Sequence, residues 1–130
     1  MSSWKGDIKY CRSCYDHLAG YVGVKITDQL VDLHYLIRRD EKDFELTDRG
    51  AQFLKENGID VSELRKKKRS FSRGCIDGSE KEPHLAGSVG AAFLEWMFRK
   101  GWIERSRNSR VIHLTALGKQ EIAEVWKLQF

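Results

Sequence analysis

Three cysteines and two of the four histidines are the side chains of this sequence best able to do chemistry. Cys11-Arg12-Ser13-Cys14 has the two-residue spacing that lets two thiolates reach one metal ion, and Cys75 stands far along the chain, ahead of His84. A tetrahedral site needs a fourth ligand, for which His17 and His84 are both available. Zinc or another thiophilic metal would suit Cys11, Cys14 and Cys75, as would thiol sensing, but a C-x-x-C without a second pair commits the chain to no cofactor. A structural alternative stands beside this one. His17 and His84 occupy the same place in a repeated string, which favours a shared task such as holding the start of a helix by a hydrogen bond, with the cysteines buried as small apolar groups. An odd number of cysteines, behind an opening Ser2-Ser3-Trp4-Lys5-Gly6-Asp7 that lacks the apolar centre of a signal peptide, points to reduced thiols more than to structural disulfides. Cys14, His17 and Asp16 can be drawn as nucleophile, base and orienting group, but an (i, i+3) pair at a helix start is ordinarily local packing. No Gly-rich phosphate loop, nucleophile elbow or H-E-x-x-H occurs, so an enzyme is not expected.

A second kind of chemistry is carried by cations. Arg65, Lys66, Lys67, Lys68, Arg69 and Arg73 lie within one stretch that holds no acid, and Arg105, Arg107 and Arg110 follow Arg99 and Lys100 in another. Cations arranged in this way replace counterions at nucleic-acid phosphates, and affinity follows the number neutralised. The place matching Arg105 to Arg110 in the first half of the chain reads Asp40-Glu41-Lys42-Asp43-Phe44-Glu45, which would repel phosphate. If either half docks on double-stranded DNA it is the second, with Ser88, Ala91, Glu95 and Arg99 as candidates for the groove. The bland alternatives are a solvated hairpin tip at Arg105 to Arg110 and a solvated helix end at Lys66, Lys67 and Lys68.

The elements that must position these residues are duplicated. His17-Leu18-Ala19-Gly20-Tyr21-Val22-Gly23 recurs as His84-Leu85-Ala86-Gly87-Ser88-Val89-Gly90, about 67 residues on, too long a spacing and too few copies for a solenoid. The copies end on Phe44-Glu45-Leu46-Thr47-Asp48-Arg49-Gly50 and Ile112-His113-Leu114-Thr115-Ala116-Leu117-Gly118. Leu18, Val22, Ile26, Leu30 and Leu33 mark one face of a long helix, with Tyr21, Val24, Val31 and Tyr35 on a second face. Pro83 suits the start of the matching helix, in which Leu85, Val89, Ala92, Phe93, Trp96 and Met97 share a face. Thr47, Asp60 and Thr115 are expected as N-caps, and Gly58 and Gly101 as helix ends. Trp102 to Leu114 reads as a hairpin with a basic tip. Ser70 to Lys81 reads as the loosest segment. The expected fold is mainly α with small β-hairpins (α+β), a winged-helix domain built from two related helix–strand–helix units. Residues 1-8 form a tail, 9-70 the first half-unit, 71-82 a connecting segment and 83-130 the second half-unit with the basic wing, the two halves forming one compact domain.

A length of 130 residues and a hydrophobic share of 41% suit such a core, and no apolar run approaches the roughly 18 residues of a membrane span. A soluble, cytoplasmic protein without membrane partners is expected. Net charge is +4, which favours anionic partners.

Cys11-Arg12-Ser13-Cys14-Tyr15-Asp16-His17-Leu18-Ala19-Gly20, the stretch Phe44 to Gly50, Cys75-Ile76-Asp77 and Pro83-His84-Leu85-Ala86-Gly87 together resemble the C-terminal half of one branch of the ArsR-type transcriptional regulators. The resemblance covers the chain from about Lys9 onward. It implies a bacterial winged helix-turn-helix repressor, in a family usually dimeric and often responsive to metal ions or stress. Cys14 and Cys75 match the branch's pattern better than Cys11 does. The family's usual DNA-reading domain and its metal motif precede this region, so the resemblance is to an N-terminally truncated regulator. Two expectations follow. In the first, the chain contacts DNA through the second unit's helix and basic hairpin (Arg99, Lys100, Arg105, Arg107, Arg110) with help from Lys66, Lys67 and Lys68. In the second, it is an effector-sensing or homodimerising domain of the same regulator that never touches DNA.

Overall fold

The computed structural model describes residues 3–130, with side chains from residue 5 onward. Among the described residues the fold is mixed α/β, with five α-helices and four two-stranded antiparallel hairpins. Each copy of the repeat is a hairpin, a long helix, a second hairpin and a second helix. The first copy runs β1 (Arg12–Cys14), β2 (His17–Ala19), α1 (Gly20–Asp32), β3 (Leu36–Asp40), β4 (Asp43–Leu46) and α2 (Asp48–Glu56). A short helix, α3 (Val61–Lys66), links it to β5 (Arg73–Ile76), β6 (Pro83–Ala86), α4 (Gly87–Arg99), β7 (Ile103–Arg105), β8 (Ile112–Leu114) and α5 (Ala116–Trp126). No helix among the described residues is long and apolar enough to cross a membrane.

The repeated Leu-Ala-Gly is a junction and not a helix interior. Leu18 and Leu85 lie in strands, and the chain turns from strand to helix at Gly20 (φ +80°) and Gly87 (φ +76°), a left-handed conformation that favours glycine. The second and third amides of each long helix have no intrahelical acceptor and take backbone carbonyls from the chain just upstream. Tyr21 N donates to Lys9 O (3.0 Å) and Val22 N to Tyr10 O (2.8 Å); Ser88 N donates to Ser70 O (2.9 Å) and Val89 N to Phe71 O (2.8 Å). Pro83 therefore opens a strand, which an edge position allows. The segment expected to be loose, Ser70 to Lys81, holds β5 and the acceptors for α4.

The second helices start alike in both copies. Thr47 Oγ1 accepts from Gly50 N (2.9 Å) and Thr115 Oγ1 from Gly118 N (2.8 Å), the ordinary work of an N-cap hydroxyl. Those glycines press on the carbonyls of Tyr35 and Trp102, which any Cβ would strike. Asp60 caps α3 through Ser62 N and Glu63 N.

The two copies pack crosswise. Thr27 on α1 accepts the Leu85 amide of β6 (2.9 Å), and a Cβ on Gly90 of α4 would lie 3.4 Å from the His17 Cβ on β2. Ile112 N of β8 donates to Cys11 O (3.1 Å) just before β1, while Ser72, just before β5, donates its hydroxyl to Phe44 O of β4. One apolar cluster runs through both copies, from Val22, Leu30 and Phe44 to Val89, Met97 and Trp126. Its heaviest part is aromatic, with Trp96 4.8 Å from Trp102, Trp102 5.3 Å from Trp126 and Phe53 of α2 5.7 Å from Trp96, ring centre to ring centre.

Alanine at Gly20 or Gly87 would add a Cβ at 2.9 Å from Tyr10 O or 2.8 Å from Phe71 O on top of the left-handed penalty. Each substitution is expected to cost about 2 kcal/mol or more in urea denaturation, while Gly6→Ala, with open space around it, stays within about 0.5 kcal/mol of the parent.

Candidate functional site

Four groups able to ligate a metal come together where the two first hairpins meet: Cys14, His17, Cys75 and His84. In β1–β2, Cys14 is the cross-strand partner of His17, on either side of a two-residue turn in which Tyr15 takes φ 56°. In β5–β6, Cys75 is the cross-strand partner of His84. Directly opposed residues of an antiparallel pair project from the same face, so each hairpin presents one thiol and one imidazole side by side. The thiol sulfurs and the nearest imidazole nitrogens all lie within 4.8 Å of one another. His17 Nε2 and His84 Nε2 are 3.0 Å apart, both rings buried.

Each imidazole has a carboxylate behind it. His84 Nδ1 faces Asp77 Oδ1 at 3.1 Å, and His17 Nδ1 faces Asp16 Oδ1 at 3.4 Å. Each aspartate stands two residues after the cysteine of its own hairpin, so both copies read Cys-x-Asp before the histidine. Asp77 is fully buried and heavily bonded. Its Oδ1 accepts from Gly20 N (2.8 Å) and Arg12 Nη2 (3.0 Å), and its Oδ2 from Glu80 N (2.8 Å), Ser79 N (3.1 Å) and Ser79 Oγ (2.8 Å). Burial alone would raise its pKa, but the amides of Glu80 and Gly20, the Ser79 hydroxyl and the Arg12 charge outweigh it and hold the carboxyl at about 2. Asp16 is also lowered, its burial outweighed by hydrogen bonds from Arg69 and His17. Burial pushes His84 down to about 4, with His17 adding to the effect and Asp77 opposing it, and burial likewise lowers His17 against the pull of Asp16. Cys75 is raised, chiefly by burial and then by Cys14 beside it.

Cys11 stands apart from this group. It is buried in the core, and desolvation pushes its thiol up to about 12, which suppresses the thiolate that ligates metals. An extended segment turns residues three apart to opposite faces, so the C-x-x-C spacing that would join Cys11 to Cys14 in a tight turn separates them here. Nor do the histidines hold a helix start. The Gly20 amide is taken by Asp77, a residue the sequence reading left without a role. The repeated Cys-x-Asp was the available signal, obscured by a longer loop in the second hairpin: Tyr15 and Asp16 separate Cys14 from His17, but residues 76-83 separate Cys75 from His84.

The thiols line a cleft of about 650 Å³ that also receives Lys68, Arg69 and Arg73. The other basic residues have varied surroundings. Arg99 pairs with Glu95 (2.5 Å), Lys66 with Glu63 (3.3 Å), and Arg105 lies over the Phe98 ring, 4.6 Å from its centre. Lys100 and Arg107 are exposed, Arg107 at the hairpin tip, and Arg110 donates to Ser13 O (3.1 Å). Lys67 and Arg69 share a cleft of about 360 Å³ with Ala91, Glu95 and Arg99, between α3 and α4. Lys68 faces the thiol cleft instead. Ser88 is buried, donating to Leu64 O (3.1 Å), and so lies out of reach of a DNA groove.

The chain is 42% identical over 118 residues to a protein of Bacillus subtilis (strain 168) named as an uncharacterized HTH-type transcriptional regulator, YdfF. The matched region is 91% of this chain and 52% of that regulator, so the chain spans about half the length of the relative it matches. No family model and no solved structure matches the chain.

Removing the Asp77 carboxylate takes the acceptor from Arg12 Nη2, the His84 imidazole and the Gly20 amide. Asp77→Ala is expected to cost roughly 3–5 kcal/mol in chemical denaturation. Asp16→Ala, which breaks a partly exposed pair with Arg69, should cost no more than about 1 kcal/mol.

Proposed function

We propose that this chain is a domain of an HTH-type transcriptional regulator of the winged-helix, ArsR-like kind, acting as a repressor and meeting double-stranded DNA through its second copy. The observation that carries the reading is the 42% identity, over nearly all of this chain, to a protein named as an HTH-type transcriptional regulator. The charges of the two equivalent hairpins support the choice of copy. In β3–β4, Asp40, Glu41, Asp43 and Glu45 outnumber the cations, and Arg39 and Arg38 are already paired with Glu45 and Asp28. In β7–β8, Arg105, Arg107 and Arg110 face only Glu104. Arg99 and Lys100 end the helix just before that hairpin, and the cleft shared by Lys67 and Arg99 extends the cationic surface toward α3, where Lys66 and Lys68 flank Lys67.

The second reading, an effector-sensing or dimerising domain that leaves DNA contact to other parts of a regulator, is favoured by one specific feature. The thiol–imidazole cluster sits where the two copies meet, in the place best suited to alter their relation.

The readings separate in a fluorescence-anisotropy titration of mixed-sequence duplex DNA across about 50 to 200 mM salt. DNA contact predicts a non-specific Kd of roughly 10⁻⁴ to 10⁻⁶ M at physiological salt, weakening steeply as salt rises. Arg107→Ala combined with Arg110→Ala is expected to weaken binding and flatten the salt slope by about two charges' worth. An unchanged slope overturns the hairpin assignment, and absence of binding at the lowest salt leaves the effector-domain reading standing.

A further inference from the structure

We propose that Cys14, His17, Cys75 and His84 form a tetrahedral site for one zinc-class divalent cation, a Cys₂His₂ centre to which each copy of the duplicated hairpin gives one thiolate and one imidazole. The inference is independent of how or whether the chain contacts DNA.

Bond lengths of about 2.3 Å to sulfur and 2.0–2.1 Å to nitrogen place the ligand atoms of a tetrahedral zinc about 3.3–3.8 Å from one another. The four donor atoms already lie within 4.8 Å, and the two imidazole nitrogens are 3.0 Å apart. Reaching those separations takes side-chain shifts of an ångström or less, a slight parting of the imidazoles and an inward turn of the two thiols, which are half-buried at the mouth of a cleft.

The histidine tautomers strengthen the case. Both Nδ1 atoms face carboxylates, and a carboxylate can only accept, so Nδ1 is the protonated nitrogen on each ring. Both Nε2 atoms then turn bare lone pairs toward each other at 3.0 Å, a repulsive contact that a cation between them converts into two coordinate bonds. A carboxylate behind each imidazole is the arrangement that fixes ring orientation and raises basicity in protein metal sites. Asp77 serves His84 in this way and Asp16 serves His17; both are positioning residues that do not touch the ion.

Ligand type selects the ion. Two thiolates and two neutral imidazoles suit a borderline-soft ion that accepts tetrahedral geometry and reject magnesium and calcium, which require oxygen. Two thiolates also cancel the charge of a divalent cation. The thiol-lined cleft gives the ion a route in and out. His17 and His84 each stand three residues before the glycine that opens α1 or α4, so the bound ion ties the starts of the two long helices to one point.

Cobalt(II) titration of the full chain, with its thiols reduced by a phosphine, tests the site. The expected result is saturation at one cobalt per chain, with the intense visible bands of tetrahedral cobalt, a near-ultraviolet thiolate charge-transfer band, and displacement of both by zinc. Cys14→Ser and Cys75→Ser should each weaken binding at least tenfold, and Cys11→Ser should leave it unchanged. Asp77→Asn should weaken it tenfold to a hundredfold while retaining the tetrahedral spectrum, which a merely structural aspartate would not do. On the unmutated chain, zinc should protect Cys14 and Cys75 from alkylation, read by peptide mapping, so the outcome does not depend on how well the variants fold. Weak octahedral cobalt bands, joint protection of Cys11 and Cys14, or a Cys14–Cys75 disulfide in a chain that takes up no metal would each overturn the proposal. So would protein that ignores zinc, in which case one imidazole carries a proton on Nε2 and donates it to the other.

Discussion

A single buried carboxylate, Asp77, ties the two copies of this protein to each other. It belongs to the second copy, yet it accepts the first amide of the first copy's long helix and the guanidinium of Arg12 on the first copy's opening strand. Its remaining contacts, with His84, Ser79 and Glu80, fold its own hairpin loop around it. An ionised group so deeply buried is stable only because every lone-pair direction is used, and that requirement makes the junction specific. The start of α1, the pose of His84 and the register between the two first hairpins all hang on one side chain.

The crosswise packing extends the same constraint through the fold. Each hairpin-to-helix glycine lets the chain reverse against the backbone just upstream, and each later hairpin leans on the opening hairpin of the other copy. Neither copy completes its packing alone: Thr27 on α1 receives the amide of Leu85, and Phe53 of α2 fills the aromatic cluster built from the second copy's tryptophans. Duplication also explains the metal centre's composition. A unit carrying one thiol and one imidazole holds a metal weakly, whereas two such units facing each other make a four-ligand set without any new residue type.

Much of this was legible in the sequence. The repeat, the threonine caps at Thr47 and Thr115, the Asp60 cap and the basic hairpin of Trp102 to Leu114 follow from local rules in which one residue's chemistry decides the outcome. The strands at Leu18 and Leu85 were not legible, because they fall at helical spacing from the apolar residues that follow, and a strand of three or four residues leaves no period of its own. Cys14 and Cys75 stood together as candidate ligands with His17 and His84 available, but Cys11 was grouped with them. Spacing along the chain joins Cys11 to Cys14, while the pairing that matters is between copies and depends on hairpin register. Asp77 gave the least warning, since a polar loop residue becomes a buried hub only when the other copy closes over it.

X-ray absorption at the zinc edge of the protein loaded with one equivalent of zinc is the most direct measurement of whether the two copies meet as ligands of one ion. The account predicts a first shell of two sulfurs at about 2.3 Å and two nitrogens at about 2.0–2.1 Å, with the outer-shell scattering of two imidazole rings. A shell of oxygen and nitrogen alone, or one sulfur with no imidazole scattering, would contradict it.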